Sequence, residues 1–213
     1  MQLLITALCL LSCATGAGAQ SFFDAISQYP QLSNFTLFYQ DNFPIASQLL
    51  TNSSTEPRTV LIPNNNAFAN FERDNGYPIT ELPGTELLSL IQYHVLVSSL
   101  TATNFSESRG LTVPSLLVGG QYNNRSAGMA LSSSFGNDQG ADGQVVFIRS
   151  GLQSSNKKFL VRRSGAQSFG VHSGLSSDVN LTALDGVWDG GRFHEVDQFV
   201  LFSPLLSDTL HLV

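Results

Sequence analysis

The four histidines are the side chains of this sequence that titrate near neutrality, so any acid–base or metal chemistry starts with them. His94 follows Tyr93 at the end of an apolar pattern with helical spacing. His194 lies three residues before Asp197. On a strand, residues three apart point to opposite faces, so His194 and Asp197 do not share one ion. His94 and His172 have no partner at metal-ligand spacing. No metal and no cofactor is expected. The simplest role for His94 is a core histidine bonded to a backbone carbonyl, with Tyr93 as packing beside it. Asp197 reads as a carboxylate that caps backbone N–H groups near a sheet edge.

Nucleophilic chemistry fares no better. The serines include no Gly-x-Ser-x-Gly elbow, and Gly174-Leu175-Ser176-Ser177 reads as a turn. No Walker-type or dinucleotide glycine pattern follows a strand. A hydrolase would need carboxylates or histidines that meet only in space, and it ranks third among the readings. Lys157, Lys158, Arg162 and Arg163 flank Phe159-Leu160-Val161 and form the basic cluster of a chain whose net charge is −6. They are candidate contacts for an anionic polysaccharide or headgroup, against the simpler reading of a strand edge blunted by charge. The overall negative charge argues against a nucleic-acid partner.

The elements that must position these residues follow from local pattern. Ser21 is a helix N-cap, with Phe22, Ala25, Ile26 and Tyr29 at i, i+3, i+4 and i+7. A second helix starts near Ser33 and buries Phe35, Phe38 and Tyr39. Val60-Leu61-Ile62, ended by Pro63, reads as a buried strand. Asn64 to Asn66 offer caps for a helix that carries Ala67, Phe68 and Phe71 on one face. Thr85 caps a helix with Leu87, Leu88, Ile91 and Val95 on its inner face, and Leu100 to Phe105 is expected to be extended. Beyond residue 110 the pattern turns to β. Leu116–Val118, Met129–Leu131, Val145–Ile148 and Phe159–Val161 are strand-length runs, and Ser132 to Gly143 reads as a long hairpin loop. Gly190-Gly191 turns into a final strand from Phe193 to Phe202. Helices first and strands later mean α+β.

Residues 1–19 carry an apolar block and an Ala17-Gly18-Ala19 site, so they read as a signal peptide cleaved after Ala19. Both cysteines, Cys9 and Cys13, lie inside it. The remainder, roughly 190 residues, is enough for one core without disulfides. Asn34, Asn52, Asn104, Asn124 and Asn180 head Asn-x-Ser/Thr sequons, which behind such a peptide predict N-glycosylation. Residues 205–213 read as a short tail, and no transmembrane segment is expected.

Three motifs, in order, resemble one known family. Thr59 to Phe68, Thr-Val-Leu-Ile-Pro-Asn-Asn-Asn-Ala-Phe, is similar to the first signature of fasciclin-like domains, roughly Thr-Val-Phe-Ala-Pro-Thr-Asn-x-Ala-Phe. Thr59, Pro63, Ala67 and Phe68 match it. Tyr93-His94 matches the family's Tyr-His pair. Gly191 to Leu201, with His194 and Asp197, resembles the second signature. The resemblance covers residues 21–204 and implies a β-wedge of about seven strands with N-terminal helices along one edge. It also implies a secreted or surface-associated binding module, not an enzyme, whose partner is a cell-surface, wall or matrix protein or polysaccharide. In the family the Tyr-His pair has been linked to receptor binding, which would implicate Tyr93 and His94. No Arg-Gly-Asp is present, and Asn64-Asn65-Asn66 departs from the signature. The alternative is a carrier of a small apolar ligand, with Phe22, Phe35, Phe38, Phe68 and Phe105 lining its pocket; the simpler account has these rings fill a core.

Overall fold

The computed structural model describes residues 20–50, 57–119, 122, 129–135, 142–150, 169–173 and 178–202. Ser21 caps α1 (Phe22–Ser27), its Oγ accepting from the Asp24 N–H at 3.1 Å. Helices α2 (Ser33–Asp41) and α3 (Phe43–Leu50) follow. Phe35, Phe38 and Tyr39 lie inward on α2. The apolar strand β1 (Arg58–Pro63) is buried along nearly its whole length. Asn64 then caps α4 (Asn65–Asn75), accepting from the Ala67 N–H at 3.1 Å, and Gly76 ends that helix with φ 80°. The chain continues through α5 (Gly84–His94), β2 (Val95–Leu96), α6 (Ala102–Phe105), β3 (Leu111–Pro114), α7 (Met129–Phe135) and β4 (Val145–Ser150) to β5 (Phe169–His172), β6 (Asp178–Trp188) and β7 (Gly191–Val196).

The seven strands form one sheet in the order β2-β1-β7-β6-β5-β4-β3. β1 and β7 run parallel, and every other pair is antiparallel. The two edge strands also meet. Leu96 bridges Ser115, and the Leu116 N–H donates to the Val95 carbonyl at 2.8 Å. This contact curls the sheet into a nearly closed wedge and leaves neither edge open along that stretch. The architecture is α+β, with the helices of the N-terminal side packed on the wedge.

The parallel pair depends on one glycine. Gly191 opens β7 with φ 145°, and a Cβ there would collide with the Arg58 backbone. Only a residue without a side chain lets the last strand approach β1 so closely.

Six expectations are corrected. Residues 102–105 are helical, because Thr101 and Asn104 form a reciprocal capping box. Met129–Leu131 opens helix α7; Met129 is 90% exposed, so no buried face holds it in a strand. The strand expected at Leu116–Val118 lies upstream, at Leu111–Pro114, where Pro114 pairs with Val145. Pro83, not Thr85, precedes the first turn of α5. The final strand stops at Val196 rather than Phe202, because its ladder partner β1 stops at Pro63. Part of the expected hairpin loop, Ser132 to Phe135, belongs to α7, and residues 136–141 lie outside the described residues. Phe159–Val161, residues 1–19 and residues 205–213 also lie outside them.

Candidate functional site

The polar residues singled out in the sequence converge on the crossing of α5, β1 and β7. Thr59 of β1 is fully buried. Its Oγ–H donates to the Ser98 carbonyl and its Oγ accepts from the Leu100 N–H, both at 2.7 Å. The loop after β2 is therefore bonded to the first signature strand through one hydroxyl.

Two histidines complete the arrangement. His94 stands at the end of α5. Its Nδ1 lies 2.9 Å from the Leu90 carbonyl, one helical turn back, and its Nε2 accepts from the Val200 N–H at 3.0 Å. The carbonyl requires a proton on Nδ1, so the neutral Nδ1–H tautomer is fixed. Burial pushes its pKa down to about 4, against a raising effect from the Leu90 carbonyl. His194 of β7 takes the opposite tautomer. Its Nδ1 accepts from the Asp185 N–H at 3.0 Å, and its Nε2 donates to the Leu100 carbonyl at 2.9 Å. Burial lowers its pKa too; the Leu100 carbonyl and Asp185 raise it and Arg192 lowers it. Each ring also packs edge-on to a phenylalanine, His94 on Phe199 and His194 on Phe105.

The two imidazoles form a reciprocal staple. His94, in the segment 90–100, holds Val200. His194, in the segment 194–200, holds Leu100. Tyr93, also fully buried, donates its phenolic O–H to the Val145 carbonyl at 3.3 Å. Tyr93 and His94 thus face the core rather than the surface. Lys157, Lys158, Arg162 and Arg163 lie outside the described residues.

Asp197, just past β7, accepts from the backbone N–H and the side-chain Nδ2 of Asn180, both at 2.8 Å. Pro63 and Ala67 are buried, and Phe68 packs edge-on to Phe38 and Phe199. Sequence reasoning missed Glu195. It is 8% exposed and is held by Asn64 Nδ2 at 2.9 Å, Thr182 Oγ at 2.7 Å and Gln31 Nε2 at 3.2 Å. A lone glutamate in a strand gives no local signal, because its three donors come from three distant segments. Beside it lies a cleft of about 20 Å³ lined by Tyr29, Leu32, Leu184 and Phe193 among others, room for about one water molecule.

Among the described residues no group of three or more His, Cys, Asp or Glu side chains is placed to hold a metal ion. The phenylalanines of the carrier reading pack on other rings: Phe22 on Phe35, Phe35 on Phe38, Phe38 on Phe68, and Phe105 on Phe169. Of the sequons, Asn34 is exposed in the first turn of α2. Asn104 is engaged in the capping box and Asn180 with Asp197. Asn52 and Asn124 lie outside the described residues. No described helix is long and apolar enough to cross a membrane.

Comparison with known proteins bears on the fold and the family. Residues 30–146 match the model of the Fasciclin domain. A solved structure of a FAS1 domain pair from the insect cell adhesion molecule Fasciclin I is similar, at 16% identity and a TM-score of 0.50. The similarity covers 80% of this chain and 45% of that one, so this chain spans just under half the length of the solved chain. No curated protein matches. At that identity the solved structure speaks for the fold alone, but the domain model spans more than half of the sequence, and the chain belongs to the Fasciclin domain family.

Proposed function

We propose that this protein is a secreted, N-glycosylated adhesion module that binds a partner at the cell surface, in the wall or in the matrix, and is not an enzyme. Fasciclin domains are adhesion modules of extracellular or surface proteins, and membership of that family is the observation that carries the reading. The internal chemistry agrees with it. The two buried histidines are each committed to one backbone donor and one backbone acceptor, and a ring so engaged has no free nitrogen for proton transfer. Their proposed role in recognition is indirect: they hold the wedge, and its surface does the binding. Lys157, Lys158, Arg162 and Arg163 are the proposed contact for an anionic polymer. Asn34 is the proposed first glycan site.

The test presents the secreted, glycosylated protein as multimers to intact cells and to purified wall or matrix polymers. Saturable binding that falls when Lys157 and Lys158 are changed to Gln, with the thermal midpoint unchanged, is the expected result. Loss of binding that simply tracks loss of fold, or no binding to any surface, overturns it. Mass spectra of the same sample for a co-purified apolar molecule separate adhesion from the carrier alternative.

A further inference from the structure

The first described residue makes a bond whose chemistry depends on where the mature chain starts. The Gln20 N–H donates to Asp189 Oδ1 at 2.7 Å, and the Asp189 N–H returns a bond to the Gln20 carbonyl at 3.0 Å. Asp189 belongs to the turn between β6 and β7, so residue 20 is bracketed against a turn 169 positions away. The bracket sits on a packed base. Phe22, two residues on, meets the ring of Trp188 at 5.0 Å and that of Phe193 at 6.3 Å, and Ser21 caps α1 from the same spot.

Independently, the sequence ends its apolar leader with Ala17-Gly18-Ala19, which places the cut before Gln20. The two observations meet on one atom. We propose that processing converts the Gln20 amide nitrogen into an α-ammonium that pairs with the Asp189 carboxylate, and that this pair protects the new terminus from cyclising. The proposal rests on the reading of residues 1–19 as a signal peptide.

The chemistry is specific to glutamine. A free N-terminal glutamine closes on itself when the lone pair of its neutral amine attacks its own Cδ. A bond forms between the α-nitrogen and Cδ, the bond from Cδ to Nε2 breaks, and ammonia leaves with one of the amine's protons. The product is a five-membered lactam. An ammonium has no lone pair to attack with. A carboxylate at hydrogen-bond distance favours the ammonium over the neutral amine and also fixes its direction. Asp189 is exposed, so the protection is a matter of rate rather than a block.

The experiment has two arms. In the first, the protein is secreted from a eukaryotic host and its intact mass is read. A terminus at Gln20 is expected, and a terminus elsewhere overturns the processing reading on which the proposal rests. In the second, wild type and Asp189→Asn, each released from a fusion so that Gln20 comes first, are incubated at neutral pH. Loss of one ammonia is followed by mass spectrometry, natively and in urea. Natively, Asp189→Asn is expected to cyclise several times faster than wild type. In urea the two rates are expected to coincide. Equal native rates overturn the protection, whatever the first arm shows. The fluorescence of Trp188, the single tryptophan of the chain, confirms that the substituted protein keeps its packed base.

Discussion

The surroundings of His94 and His194 solve one problem in two ways. Both imidazoles are buried, neutral and bonded to backbone on both nitrogens. His94 gets one partner from its own helix, four residues back, and the other from a segment 106 residues on. Its surroundings are apolar, and its acid–base behaviour is set by burial first. His194 gets its acceptor role from Asp185, nine residues back across an irregular stretch of the β6–β7 pairing, where Asp185 has φ 64°. Asp185 and Arg192 add opposing charges there. The comparison teaches that a buried histidine can be pinned by topology alone or by topology tuned with charge. Only the second kind responds to surface charge and salt.

The largest test is to remove the apolar node. His94→Ala leaves the Val200 N–H and the Leu90 carbonyl without partners and opens a cavity against Phe199. The expected cost is about 4 kcal/mol in urea unfolding. His94→Gln keeps an amide donor and acceptor and is expected to cost clearly less. Equal costs would mean that ring packing, not the two hydrogen bonds, is what His94 supplies.

The pH dependence is next in size. In the unfolded chain the His94 imidazole takes up a proton near 6.5, while in the fold it resists protonation down to about 4. Between those values the unfolded state binds more protons, so stability falls as pH falls through that window and is level below it. The loss is about 3 kcal/mol across the window. His194 is shifted in the same direction and adds to the slope. Urea titrations of wild type and His94→Gln at pH 7, 5.5 and 4 isolate the His94 share by difference, at roughly the size predicted. A parallel pair of curves would show that His94 titrates normally in the fold.

How far these nodes were legible in the sequence differs between them. Local rules located the caps at Ser21 and Asn64, the buried run ended by Pro63 and the glycine entry at Gly191, because each is written in adjacent residues. His94 stood out through its pairing with Tyr93 and its place on an apolar helix face. The partners were not legible: Val200 and Leu100 are joined to the histidines by tertiary approach, which no spacing records. Glu195 was invisible for the same reason. The β misreadings share another cause. Short apolar runs at Leu116 and Met129 carry no period long enough to separate strand, helix and loop.

Thr59 tests whether the staple depends on a third member. Thr59→Val keeps the shape and removes the hydroxyl that serves both Ser98 and Leu100. The expected cost is about 2 kcal/mol, since a buried N–H loses its acceptor. Amide exchange at Leu100 is expected to quicken, while exchange at Val200, held by His94, stays slow. Equal acceleration at both would show that the two nodes open as one unit.

The smallest effect separates the histidines most cleanly. Asp185→Asn keeps a side-chain oxygen for the Ala102 N–H, bonded at 3.1 Å, and tolerates the left-handed backbone at φ 64°. What it removes is the negative charge beside His194. The Arg192–Asp185 pair is long, 3.8 Å, and both side chains are partly exposed, so stability at neutral pH is expected to change by no more than about 0.5 kcal/mol. The His194 titration nevertheless moves further down, because the charge that favoured its imidazolium is gone while Arg192 remains. The His94 titration, followed by NMR in the same sample, stays put. Raising salt in wild type is expected to weaken the Asp185 contribution in the same sense, again at His194 alone. If both histidines move together, they are coupled through the wedge, and the distinction between a node fixed by topology and one tuned by charge fails.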